Sequence, residues 1–368
     1  MGSGNSIWRF ILTLQKWFHY FYKKWIFFNA RAKANRLRKG VIRRKGVRIT
    51  NRRLLKTIKD YSKHKFGTTA YWPYLALYTE IRGEFVPGWM PYDYYVFILL
   101  PNLNPRPGVL INDLKTYDYR LFGDFAIKPL LIYVSGMFID PDMEIIDRKR
   151  LIKFLSDYND TIVIKQEGGR GGKEVSILHS SEFVPEELDK KKNYVIQPYI
   201  RQYKVLDDLY PDSVNTFRII SFLRKDGLVK IIYVMLRFGA DNLKVDNLSS
   251  GGYYLYFNLN GNPDSKIYEW QTGIEIGDRH KNTGYVFSDI EIPMFHDMLE
   301  KCRQAHKKFP YARVIGWDVC IENTGEPKLI EWNAEEPGFY PFEAKYGPLW
   351  SEDDDIWDLE YSVKHLNK

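Results

Sequence analysis

The chain has 368 residues, enough to bury a sizeable core and to form two or three packed units. Hydrophobic residues make up 45% and charged residues 27%, as in an ordinary globular protein, and the only cysteines are Cys302 and Cys320. That excludes a disulfide framework and suits a reducing, cytoplasmic compartment. The net charge of +8 is uneven: residues 1–59 carry 17 Lys/Arg and no acid, leaving 37 basic against 46 acidic residues elsewhere, a net of −9.

The first element in chain order is IWRFILTLQKWFHYFYKKWIFF, residues 7–28. Arg9, Lys16, Lys23 and Lys24 interrupt it, so no uncharged run reaches the roughly 18–20 residues of a membrane span. On a helix these cations share one face with Thr13 and Tyr20, while Trp17, Phe18, Phe21, Trp25 and Phe28 lie on the broad remainder. This is the pattern of a helix lying in a membrane interface, and the following RAKANRLRKGVIRRKGVRITNRR adds charge suited to anionic headgroups. The alternative is packing on the body or on a partner. Nucleic acid fits less well, because the acidic body offers no broad basic face. The opening MGSGNS matches the short myristoylation pattern M-G-x-x-x-[ST].

Residues 60–115 read as helices and loops rich in Tyr, Trp and Pro, and WPYLALYTEIRGEFVPGWMP shows no clean period. From residue 117 onward strands and helices mix. LLIYVSGMFID predicts a strand and turn, DRKRLIKFLSDY an amphipathic helix, and TIVIKQE and KEVSIL two strands flanking a glycine loop. NYVIQPYI, FRIISFL, KIIYVMLRFG and YYLYFNLNG are strand-like, EIPMFHDMLEKCRQAHKKF is the clearest helix, and VIGWDVCIE and KLIEWNAEE are the last strands. Together they predict an α+β fold.

The loop KQEGGRGGKEV lacks the P-loop spacing, since Glu174 stands where Ser or Thr is needed and Glu167 where the first Gly is needed. It is also not a dinucleotide loop, because a strand follows it. Glycines let backbone N–H groups approach an anion, and Lys165 adds a fixed charge; a plain flexible hairpin is equally compatible. The last hairpin is more telling. With a Thr324-Gly325 turn and Asn323 facing Glu326, Asp318 faces Glu331 and Asn333 follows on the same face. Two carboxylates and an amide on one spot suit magnesium shared with phosphate oxygens.

Taken in order, YDYRLF, VIKQEGGRGGKEV, VIQPYI, PDSVNTFRII, LRFGADNLKVDNLSSGG and IGWDVCIENTGEPKLIEWNAEEPG resemble the ATP-grasp enzymes, more narrowly the group associated with sugar transfer and polysaccharide biosynthesis. The resemblance spans Tyr117 to Gly338. The chain thus reads as a basic amphipathic helical arm (1–59) and a helical and loop region (60–120), followed, as the resemblance implies, by a small lobe with the glycine-rich loop (121–200) and a large lobe with the magnesium site (201–368), the two lobes clamping ATP. The resemblance further implies that Lys165 contacts the α/β phosphates and that Gly168, Gly169, Gly171 and Gly172 fold over the triphosphate. Gln197, Tyr199 and Ile200 would line the adenine pocket. Asp318, Glu331 and Asn333 would hold Mg2+, and Arg218 and Arg237 would stabilise the transferred phosphoryl group. Asn215 and Thr216 would be polar neighbours, with Ser249, Ser250, Gly251 and Gly252 bounding the acceptor site. One departure stands out: the family usually places a phosphate-binding lysine before LF, where this chain has Arg120, with Lys115 and Lys128 nearby.

The function implied is an ATP- and magnesium-dependent carboxylate–amine ligase, working through an acyl phosphate in capsular or other surface polysaccharide biosynthesis. Its partners would be a carboxylate-bearing sugar or polysaccharide precursor and an amine donor, at the inner face of the membrane. The alternatives are a kinase on the same fold, or a non-catalytic membrane or nucleic-acid binding protein.

Overall fold

A computed structural model describes residues 4–169, 174–240, 253–269 and 272–358, with side chains from Trp25 onward. The chain begins with one long helix, α1 (Gly4–Lys45), ended by Gly46 at φ +66°. Helix α2 (Arg52–Phe66) starts at Asn51, whose side chain accepts from Leu54 N, and stops at Gly67. Helix α3 (Trp72–Arg82) carries Pro73 in its first turn and is buried from Pro73 to Ile81. A helix buried all round shows no amphipathic period, which is why WPYLALYTEIR resists periodic reading.

From Phe27 on, α1 packs on the body. Ala34 and Val41 are fully buried, and Phe27 meets Tyr71 and Phe97 edge-on. The receptor is Glu80 of α3, 1% exposed, which takes Arg38 at 3.3 Å, the Thr50 hydroxyl and Ile49 N. Lys45 donates to the carbonyls of Glu80 and Ile81, and Arg44 pairs with Glu269. Several cations that suggested lipid headgroups are thus spent on holding the arm down. Trp25 and Phe28 remain 61% and 69% exposed. No helix among the described residues is long and apolar enough to cross a membrane.

Two antiparallel sheets follow. The first, of six strands in the order β3-β2-β1-β6-β4-β5, comprises β1 (Leu131–Val134), β2 (Met137–Ile139), β3 (Ile145–Ile146), β4 (Thr161–Gln166), β5 (Val175–His179) and β6 (Tyr194–Pro198). The helix Arg148–Tyr158, capped by Asp147, packs on it through Leu151. The second, of five strands in the order β13-β12-β7-β8-β9, comprises β7 (Thr216–Leu223), β8 (Val229–Phe238), β9 (Tyr253–Phe257), β12 (Val314–Ile321) and β13 (Pro327–Asn333). A two-stranded ribbon, β10 (Ile267–Tyr268) and β11 (Glu275–Gly277), lies between β9 and β12 in sequence.

The large sheet is covered on both faces. The helix Phe295–Lys308 packs against Phe217, Ile219 and Trp317 on one face. The N-terminal helices pack against Ile220, Phe222 and Met235 on the other. Cys302 lies in the first of these cores, and Cys320 in a small cluster with Ile127 and Ile200 where the two sheets meet. Burial pushes the Cys302 thiol well up and the Cys320 thiol to about 12.

His306 ties the covering helix to the sheet. It is fully buried, with Nδ1 2.6 Å from Ser221 Oγ and Nε2 2.9 Å from Ala312 O, while Trp317 Nε1 donates to the same hydroxyl at 2.7 Å. Burial lowers its pKa from 6.5 to about 4. Between those values the unfolded chain binds the extra proton, so the stability is present above about pH 6.5 and lost as pH falls toward 4, by up to about 3 kcal/mol. Denaturant unfolding at pH 7.5 and 4.5 should show this loss in the wild type and a smaller one in His306→Gln.

Candidate active site

The two sheets face each other across a cleft of about 730 Å³. On β4, Ile162 and Ile164 point into the small-lobe core, so alternation aims Thr161, Val163 and Lys165 into the cleft. Ladder partners share that face: Val163 lies between Ile177 of β5 and Gln197 of β6, and Lys165 between Val175 and Val195. Gln197, Tyr199 and Ile200 line the cleft as a polar and apolar hinge wall, and the buried Gln197 Oε1 has no hydrogen-bond partner among the described residues. Gly168, at φ +69°, and Gly169 close the near end.

The large sheet contributes a row of charges across three strands. Arg218 of β7 pairs with Asp318 of β12, which pairs with Glu331 of β13, and Asn333 pairs with Gly316. Arg218 grips Asp318 with two nitrogens, Nη2 at 2.9 Å from Oδ2. Arg237 of β8 reaches the same Oδ2 at 2.9 Å and the Thr216 hydroxyl at 2.7 Å. Burial alone would raise the Asp318 carboxyl, but the two guanidiniums hold it below its usual range.

The expected opposition of Asp318 and Glu331 is present, by a route the sequence did not suggest. Nearer the turn, Ile321 faces Pro327 and Glu322 N bonds Glu326 O, one residue out from Asn323 facing Glu326. A bulge beyond Asp318 absorbs the offset, leaving Ile330 as the extra residue on β13. Ile330 lines the cleft and packs with Ile127 and Ile200. Re-aiming a side chain at a site is a common use of a bulge.

Lys115, on the segment before the small lobe, completes the polar end. Its ammonium lies 3.6 Å from Glu331 Oε1 and 2.8 Å from Gly169 O. Burial lowers the Lys165 pKa, and the neighbouring Lys115 charge lowers it further. Below them Asp118 accepts from Trp332 Nε1 at 2.8 Å, and burial raises its carboxyl to about 7. Four cations therefore surround two carboxylates at the inner end, while Glu174, Asp212 and Glu335 stand exposed at the rim.

Some expected residues lie elsewhere. Arg120 is exposed on the helix Asp118–Phe122 and does not line the cleft, and neither does the exposed Lys128. Of the three cations considered there, Lys115 is the one that lines the cleft. Asn215 is fully buried outside the cleft, its amide donating to Gln202, Leu206 and Tyr210 oxygens, so it organises a turn. Gly171, Gly172, Ser249, Ser250, Gly251 and Gly252 lie outside the described residues.

Among the described residues no three His, Cys, Asp or Glu side chains are gathered as a self-sufficient metal cage. Asp318 accepts three donors, leaving about one of its four lone-pair positions open. Glu331 is 39% exposed, with Lys115 as its ion partner. The Asn333 oxygen already accepts from Glu335 N and Glu336 N. The two carboxylates therefore offer open positions to a hard cation whose remaining ligands come from phosphate and water, and Asn333 would join them only by giving up one of its two backbone bonds.

Residues 100–349 match the profile of the sugar-transfer associated ATP-grasp family. The chain belongs to that family. Its fold resembles the ATP-grasp ligase PsnB complexed with a minimal precursor, at 12% identity over 72% of this chain and 63% of that one, with a TM-score of 0.37. It also resembles biotin carboxylase from Campylobacter jejuni in a beta-gamma-ATP complex, at 11% identity over 72% and 47%, TM-score 0.39. A third likeness is to N5-carboxyaminoimidazole ribonucleotide synthetase from Thermotoga maritima, at 10% identity over 71% and 51%, TM-score 0.39. The chain thus spans less than two thirds of the length of each. No curated protein matches it.

Removing Asp318 takes the shared carboxylate away from two largely buried guanidiniums, so Asp318→Ala should cost about 3–5 kcal/mol in denaturant unfolding. The half-exposed Glu331→Ala should cost less than about 1 kcal/mol.

Proposed function

We propose that this ATP-grasp protein is an ATP- and magnesium-dependent carboxylate–amine ligase acting on a carboxylate-bearing sugar or polysaccharide precursor. The observation that carries the reading is the convergence of Lys115, Lys165, Arg218 and Arg237 on Asp318 and Glu331 at the inner end of a cleft with an apolar hinge wall. A polyanion with an aromatic base fits that polarity from end to end. Lys165 and Lys115 bind the phosphates, and the hinge wall of Gln197, Tyr199 and Ile200 receives the base. Asp318, Glu331 and Asn333 would hold magnesium, which when bound neutralises phosphate charge and orients the terminal phosphoryl group.

The reaction divides into two displacements. A substrate carboxylate oxygen attacks the γ-phosphorus, the bond to the β-phosphate oxygen breaks, and ADP leaves. An amine nitrogen then attacks the acyl carbon, phosphate leaves with the C–O bond pair, and the amine yields a proton. Arg218 and Arg237, fixed by Asp318, sit ready to meet charge developing on the phosphoryl oxygens without reorganising. The family's association with sugar transfer supports a carbohydrate acceptor. The basic helix, with Trp25 and Phe28 exposed, supports delivery of the site to an anionic membrane surface.

Calorimetric titration with ATP, with and without magnesium, tests the site. Wild type should bind in a magnesium-dependent way. Lys165→Ala and Lys115→Ala should lose at least about tenfold in affinity, and Arg120→Ala should stay within about twofold. No binding by folded wild type would remove the enzyme reading. If ATP binds, ADP release that needs both a carboxylate and an amine supports the ligase, whereas release with a stable phosphorylated product means a kinase. The full chain should co-sediment with vesicles containing anionic lipid and not with zwitterionic ones; equal recovery from both would sink the membrane role.

A further inference from the structure

One short polar segment, Asn112-Asp113-Leu114-Lys115-Thr116, touches both halves of the site. On the large-lobe side Asn112 is buried and lines the cleft. Its Nδ2 donates to Trp332 O at 2.7 Å, and its Oδ1 accepts from Ala334 N at 3.2 Å. Those two groups flank Asn333 on the open edge of β13, the outermost strand of its sheet. Unpaired edge groups leave a strand end free to shift. Here one asparagine side chain stands in for the missing neighbour strand. A second buried asparagine, Asn104, holds Ala334 O at 2.7 Å and Val314 O at 2.7 Å.

On the small-lobe side the Thr116 hydroxyl donates to Glu167 Oε1, while Glu167 Oε2 accepts from Asn193 Nδ2 at 2.7 Å. Gly168 N donates to Asp113 O at 3.3 Å. Lys115 bridges Gly169 O and Glu331.

We propose that Asn112–Thr116 is a positioning strap that sets the small-lobe glycine turn against the large-lobe carboxylate strand. Asn112 aims Asn333 by fixing the peptide planes on either side of it, while Lys115 holds Glu331. Thr116 holds the glycine turn through Glu167. Asn112 and Thr116 act through others, so they are positioning residues. The inference rests on the ATP- and magnesium-binding reading. Groups that orient metal ligands typically change metal affinity by roughly 10–100-fold when removed. A residue that merely stabilised the fold would not separate binding with magnesium from binding without it.

The test is ATP affinity of the full chain, by calorimetry with and without magnesium, in wild type, Asn112→Ser, Thr116→Val and Thr116→Ser. Asn112→Ser should lose at least about tenfold of the magnesium-dependent gain while its metal-free affinity stays within about twofold of wild type. Thr116→Val should weaken binding by the same factor in both conditions, about fivefold or more, and Thr116→Ser should restore it. If circular dichroism shows Asn112→Ser unfolded, Asn112→Asp replaces it. That variant keeps the acceptor for Ala334 N, loses the donor to Trp332 O, and carries the same expectation. Equal loss with and without magnesium in the Asn112 variant, or wild-type affinity in Thr116→Val, overturns the strap. Wild type that binds no nucleotide removes the functional reading itself, whereas a normal magnesium gain in every variant removes the strap alone.

Discussion

Desolvating a carboxylate is costly, and removing the partner of a buried guanidinium is costly too. Asp318 sits where both costs are offset at once, between Arg218 and Arg237. The arrangement requires three neighbouring strands in fixed register, because Arg218, Asp318 and Glu331 are direct ladder partners. A slip of one residue would turn the whole row to the opposite face. The charged row and the strand order are therefore one constraint, and the cleft inherits its shape from it.

That constraint also explains why the sheet carries helices on both sides. The face bearing Arg218 also bears Ile220 and Phe222 further along β7, and those need cover. The N-terminal helices supply it, which makes the arm from Phe27 onward part of the large lobe's core. Glu80 is its anchor, and the cations around it serve the docking before they serve any surface.

The strands and the placement of Lys165 were legible because alternation of apolar residues is written locally. The opposition of Asp318 and Glu331 was legible from the hairpin even though its turn was one residue different, since the bulge at Ile330 cancelled the offset. The docking of α1 was not legible, because Arg38 and Glu80 meet across 42 residues with no pattern linking them. Asn215 looked like a site residue and is a buried amide whose nitrogen ties a turn together. Arg120 stands at the family position in sequence, but of the three candidate cations Lys115 is the one that lines the cleft. Nothing in NDLKT marks Asn112 or Thr116, because their partners are backbone groups and a glutamate from distant strands.

The two thiols stand in different parts of this construction. Cys302 lies beneath the large sheet, in the core sealed by the helix Phe295–Lys308, whereas Cys320 lies in the small cluster where Ile127 and Ile200 join the lobes. Burial suppresses thiolate formation at both, so neither reacts until its surroundings open. Local openings and global unfolding differ in free energy. The sulfhydryls are thus two clocks in one chain: alkylation at Cys320 times the parting of the hinge, and alkylation at Cys302 times the loss of the core.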